Sequence, residues 1–182
     1  MNEAVLVLTA RRAYERGRVK KAVRGALLVL PVASLPLYQC LQVGRGAQML
    51  AVIAALTALL ILLLWRGEDY ERGARIGLMA GLSPLLLPVL ATLIAPMCSA
   101  SICELLPKAA IAGGFLAGMC VAGTGFARNA TLGFWFSATS VTATLGAAGC
   151  LTAGLAGLGG MALGLAAGAI PVLAVHAFRP SR

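Results

Sequence analysis

Long apolar runs separated by short polar breaks dominate the chain. Six segments, at approximately 25–41, 49–65, 76–95, 108–126, 131–151 and 158–178, each approach the length that crosses a hydrocarbon core, roughly 20 residues. The pattern predicts an all-α polytopic bundle of six transmembrane helices. A basic N-terminal segment (1–24) precedes it and a short polar tail (179–182) follows. Pro31 and Pro36 in the first segment, and Pro84 and Pro88 in the third, predict bends, because each removes a backbone donor. The run Arg66 to Arg75 reads as the most charged loop, and Gly149 to Gly160 as an uncharged break between the last two spans. No small-residue cleavage site follows the first apolar run, so that run reads as an anchor rather than a removed signal. Leu37 and Cys40 have lipoprotein-box spacing, but Tyr38 and Gln39 are too bulky for the positions before the cysteine.

Composition sharpens this picture. Charged residues make up 12% of the 182, against about 25% in soluble domains, and the mean hydropathy is +0.91. The net charge of +9 would point to nucleic acid in a soluble protein, but no basic domain with interleaved aromatics supports direct nucleic-acid binding. Threading six spans from a cytoplasmic N-terminus puts thirteen of the fifteen Lys and Arg inside and leaves Arg45 and Lys108 outside. The positive-inside rule therefore predicts both termini in the cytoplasm, and the high Ala, Gly, Leu and Arg usage points to a multi-pass protein of a bacterial inner membrane.

Small residues recur at every fourth position in three segments: Gly73, Gly77 and Gly81; Gly114, Gly118 and Ala122; Gly160, Gly164 and Gly168. Residues four apart share a helix face, so each series predicts a flat strip for close helix packing, within the chain or in a homodimer. The fifth segment carries Ser137, Thr139, Ser140, Thr142 and Thr144. These hydroxyls either bond to helix backbone or line a polar path.

Apart from Lys108 at the edge of the fourth segment, no Asp, Glu, Lys or Arg falls inside a predicted span, unlike the interiors of ion-coupled transporters. His176, the single histidine, sits near the end of the last span, where an interfacial role outweighs a ligand role. No metalloprotease His-Glu pair, intramembrane aspartate pair or phosphate-binding glycine loop is present, so the expectation is no enzyme and no cofactor.

The polar stretch Pro96 to Pro107 joins the two hydrophobic halves and contains Cys98 and Cys103. On the predicted topology these two, with Cys40 and Cys150, lie toward the oxidising side, and Cys120 lies mid-span. Their readings are a structural disulfide, a redox- or metal-responsive set with the metal open, and inert apolar packing. On the other side, Arg11, Arg12, Arg16, Arg18, Lys20, Lys21 and Arg24 form one basic run, suited to anionic headgroups of the lipid bilayer or to a docked protein.

The layout of basic tail, Gly/Ala/Leu-rich six-span bundle and outer cysteines resembles the six-span bacterial membrane anti-sigma factors. The residues that carry this are 11–24, Cys98, Cys103 and Cys150; Met97-Cys98-Ser99 stands where that family has a His-Cys-Pro-like element. The resemblance implies a signal transducer: outer cysteines respond to a metal or oxidant, and the tail holds a cytoplasmic sigma factor or other soluble regulator. A small transporter or transporter subunit, and a structural membrane subunit, are the alternatives.

Overall fold

The computed structural model describes residue 15 and residues 17–42 at most positions, then 44–94, 102–128, 130–151 and 154–177. Among the described residues the secondary structure is all helical. Every described residue between 15 and 42 is helical, and this first segment is α1. It is followed by α2 (Gly46–Arg66), α3 (Glu68–Ile94), α4 (Ile102–Ala127), α5 (Leu132–Cys150) and α6 (Gly154–Ala177). Among the described residues α2, α3, α4 and α6 contain stretches long and apolar enough to cross a membrane. Although α5 has 19 residues, it is not among these four, because its Ser and Thr residues lower its apolarity.

Two turns explain how consecutive helices reverse or break. At the end of α1, Gly44 takes a φ of 74°; its N–H donates to Leu41 O, and the Arg45 N–H donates to Cys40 O at 2.8 Å. This pair of bonds is a Schellman motif, with glycine where the chain turns left-handed. Between α2 and α3 a single residue, Gly67 (φ 143°), interrupts the helix.

The charged run read as a loop is therefore helical from Glu68 onward. Glu68, Asp69 and Glu71 occupy the first turn of α3, where carboxylates complement the positive end of the helix dipole. Ion pairs at i,i+4 link Glu68 to Arg72 at 3.6 Å and Glu71 to Arg75, and such pairs support an exposed helix turn. The second half of the polar central stretch, from Ile102, likewise belongs to α4.

The most extensive contacts are not between sequence neighbours. They pair α4 with α6 and α3 with α5, followed by α3 with α4. Gly73 abuts Phe134 and Ser137, Gly77 abuts Ala138, Gly81 abuts Leu145, and Gly149 abuts Leu85, so α3 and α5 run parallel. Gly160 faces Pro107 and Ile111, Gly164 faces Ile111, and Gly168 faces Phe115, so α4 and α6 run parallel as well. Ten residues of α5 are buried, from Phe134 to Cys150, so this Ser- and Thr-bearing helix is largely covered by the others. Against this block α2 lays Met49, Leu56, Leu60 and Leu63, which form one core with Leu85, Val141 and Leu145.

Candidate functional site

Proline chemistry shapes the middle of α3. Pro84 has no N–H to offer the carbonyl of Ala80, one helical turn earlier. Ser83 Oγ lies 2.8 Å from that Ala80 oxygen and 3.0 Å from Gly113 O, so one hydroxyl serves both α3 and α4. Pro84 itself is fully buried. A Cβ on Gly113 would stand 2.7 Å from Pro84 Cα, and one on Gly149 would stand 2.5 Å from Pro84 O. The proline is thus clasped between glycines of α4 and α5.

All three glycine series lie at helix–helix contacts within the chain. A Cβ at Gly114 or Gly118 would strike the Met161 or Leu165 carbonyl, and one at Gly164 or Gly168 would strike the Ile111 or Phe115 carbonyl. Four of the five α5 hydroxyls, those of Ser137, Thr139, Thr142 and Thr144, are engaged by backbone, and Ser140 is half-buried. Ser137 Oγ donates to Phe134 O at 2.9 Å, Thr139 to Trp135 O at 2.7 Å and Thr144 to Ser140 O at 2.7 Å, all within α5. Thr142, fully buried, donates across to Gly77 O of α3 at 3.1 Å. This bond lies where the α3 glycine strip lets the two helices approach.

At the end of the bundle near Arg45, two of the singled-out thiols are buried. Cys40 is 1% exposed and Cys150 is 0% exposed. They belong to different apolar clusters: Cys40 packs with the α2–α3–α5 core, and Cys150 packs with Ala110 and Met161. Both are free thiols. Arg45 spans the two regions, its Nη1 donating to Leu151 O at 2.8 Å beside Cys150. Nearby, Gln39 Nε2 donates to Thr92 Oγ1 at 2.9 Å, tying α1 to α3. Cys98 lies outside the described residues, and of Cys103 the backbone alone is described, in the first turn of α4. Among the described residues no group of three or more His, Cys, Asp or Glu is placed to hold a metal ion.

At the opposite end, Gly25 of α1 packs against Leu64, close to the last residue of α2, Arg66. Glu15 lies ten residues before Gly25, and Arg66 two residues after Leu64, so at 1.5 Å per residue α1 reaches about 12 Å beyond the end of α2. The described residues of that extension, Glu15, Gly17, Val19, Lys20 and Val23, are all exposed. Val19 (56%), Val23 (52%) and Leu27 (56%) are exposed at four-residue spacing, which places them on one face. The sequence reading took this segment as a basic tail; in the structure the same helix continues into the bundle and carries Leu27 on the stripe of Val19 and Val23. Of the basic run, Lys20 is described and exposed; Arg11, Arg12, Arg16, Arg18, Lys21 and Arg24 lie outside the described residues.

Other charges near this end engage neighbours: the Arg66 guanidinium lies 5.8 Å from the Tyr70 ring centre, and Thr131 Oγ1 donates to Asp69 Oδ2 at 3.2 Å. The latter bond fixes the start of α5 beside the start of α3. No known family model, curated protein or solved structure matches this chain.

Proposed function

We propose that the protein is an integral regulator of a bacterial inner membrane whose N-terminal helix holds a soluble cytoplasmic partner. The observation that carries this reading is the projection of α1. A helix reaching about 12 Å past its neighbour, with Val19 and Val23 exposed on one face and basic residues along the same segment, offers an edge for a partner. Apolar anchors supply affinity, and the flanking positive charge favours an acidic surface. Orientation rests on the distribution of Lys and Arg, which places this extension in the cytoplasm.

In this reading the six helices form the membrane domain, and Cys98 and Cys103 at the opposite end receive the signal. A change in their oxidation or metal state favours one arrangement of the bundle over another, and α1 transmits the difference to the bound partner. The partner class that fits the layout is a sigma factor or similar soluble regulator. The transport reading has less support, because four of the five α5 hydroxyls bond to carbonyl oxygens.

The test is partner capture from membranes. The full chain, a chain lacking residues 2–20, and a Val19→Asp/Val23→Asp variant are purified in parallel, and co-purifying proteins are identified. A soluble transcription factor recovered with the full chain and lost from both variants is the expected result. Recovery of integral membrane proteins alone, equally from all three, would overturn the reading. Cys98→Ser separates sensing from holding: it should retain the partner but no longer release it on oxidant or metal challenge.

A further inference from the structure

A cleft of about 240 Å³ opens between α4, α5 and α6. It exists because α5 and α6, although consecutive, touch each other far less than each touches its parallel partner. Small residues form two walls, with Gly118 and Ala122 on α4 and Ala166 and Ala169 on α6. Trp135 forms a third, its ring held edge-on by Phe126 at 5.2 Å and Phe134 at 6.1 Å between ring centres. Two hydroxyls reach the lining, those of Thr139 and Thr142, and both donate to backbone carbonyls. What they leave for an occupant is therefore hydrocarbon.

Such a lining favours hydrocarbon over water. Apolar cavities stay dry, and one of about 150 Å³ already takes up benzene. An occupant must be apolar and slim. Along α5 the lining runs from Trp135 to Thr142, about 10 Å of helix rise, which suits an extended hydrocarbon segment rather than a compact ring. In a bilayer that segment is a lipid acyl chain.

Charge at the mouth selects the headgroup. Arg128 follows the last residue of α4 and is exposed; six residues separate it from Ala122 in the cleft wall, about 9 Å of rise. Arg66 faces Tyr70, while Arg72 and Arg75 pair with Glu68 and Glu71. Among the described arginines of this end, that leaves Arg128 without an ion pair or ring partner. Basic sites between membrane helices recruit anionic headgroups. We propose that the cleft seats one acyl chain of an anionic phospholipid, whose phosphate is held by Arg128. The proposal stands independently of the partner-holding role of α1.

The experiment uses Trp135 as reporter in full-length protein carrying Trp65→Phe. The protein is reconstituted in phosphatidylcholine vesicles containing a minor fraction of phosphatidylglycerol brominated on its chains, and tryptophan quenching is read. A seated chain quenches Trp135 well beyond the bulk fraction of brominated lipid, and an excess of unbrominated phosphatidylglycerol reverses it. One basic residue at the surface corresponds to about a fivefold preference over brominated phosphatidylcholine. Arg128→Gln should remove that headgroup preference. Ala169→Leu, which fills the cleft, should lower quenching to the bulk level, and Ala166→Leu provides a second filling variant should the first fail to fold. Quenching in the unfilled protein that follows the bulk fraction for both headgroups would overturn the proposal. So would unchanged quenching in a folded filling variant.

Discussion

Gly77→Ala tests whether α3 and α5 are held at glycine distance. An ideal Cβ on Gly77 stands 2.6 Å from Ala138 O, 3.0 Å from Ala138 Cα and 3.1 Å from Val141 Cβ. Comfortable carbon–carbon contact lies at about 3.5–4.0 Å, so α5 has to withdraw by roughly 0.5–1 Å. The obstructing atoms are backbone and a branched Cβ, and neither can rotate away. A gap of that size forfeits about a quarter to a half of each contact's dispersion well, and overpacking of this kind costs about 1–3 kcal/mol. The Thr142 hydroxyl, 3.1 Å from Gly77 O, would move out of hydrogen-bond reach, a further loss of about 0.6 kcal/mol between membrane helices. Reduced freedom of the unfolded chain opposes these terms by about 0.4–1 kcal/mol. The net expectation is a destabilisation of about 1–3 kcal/mol. Reversible unfolding in mixed micelles, titrated with a denaturing detergent and followed by circular dichroism, measures it. Gly123→Ala is the control, because nothing lies within 4 Å of its added Cβ; it should unfold no earlier than the native chain. A Gly77→Ala protein as stable as the native one, or equal losses at both positions, would refute the reasoning.

Three further outcomes follow from the same contacts. Thr142→Val should cost about 0.6–1.7 kcal/mol in that titration, the range for interhelical bonds, whereas Thr139→Val, whose hydroxyl bonds within its own helix, should be nearly neutral. Ser83→Ala should cost about 1–3 kcal/mol by leaving the buried Ala80 carbonyl short of a donor; adding Pro84→Ala returns an amide to that carbonyl, so the double variant should lose less than the two single losses combined. Cys40 and Cys150 should resist a membrane-permeant maleimide until the bundle unfolds, since both are buried. Arg45→Gln, which breaks the bond to Leu151 O, should speed labelling of Cys150 more than that of Cys40; equal acceleration would argue against a local brace.

The apolar runs made a helical membrane protein legible, because length and hydropathy report directly on what can cross hydrocarbon. Helix starts were less legible. The stretch Arg66 to Arg75 looks like a loop by charge density, yet Glu68–Arg72 and Glu71–Arg75 have helical i,i+4 spacing, and acids in a first turn are themselves a start signal. The glycine strips were legible as surfaces but not as pairs, since a four-residue spacing describes one face and carries no information about which helix lies opposite. Nothing in the spacing says that α3 meets α5 and α4 meets α6. The cleft was harder still: it arises from the distance between α5 and α6, and its walls are Ala and Gly that also occur throughout the packed interfaces. Adjacency in sequence singled out Cys98 and Cys103, whereas Cys40 is buried in a core with Val141 and Leu145, about a hundred residues along the chain, and Cys150 with Ala110 and Met161 of two other helices.

The two kinds of helix contact divide the bundle into parts of different stiffness. From α3 to α6 the backbones meet through glycine, at Gly73–Phe134, Gly77–Ala138, Gly114–Met161 and Gly164–Ile111. Backbone against backbone leaves no rotamer to adjust, so this block changes in discrete steps or not at all. Helix α2 instead meets the block through Met49, Leu56, Leu60 and Leu63, side chains with alternative rotamers and a smooth apolar surface. Among its described residues, helix α1 is joined to its neighbours by Gln39 to Thr92 and by the Schellman turn into α2. A displacement of α1 with α2 therefore costs less than any rearrangement within α3–α6, and it acts over a long lever. Small rotations at the Gln39 level become larger movements at Val19, about 30 Å of helix away. If α1 holds a partner, the sensitive points are Gln39, Thr92 and Arg45, which fix its angle.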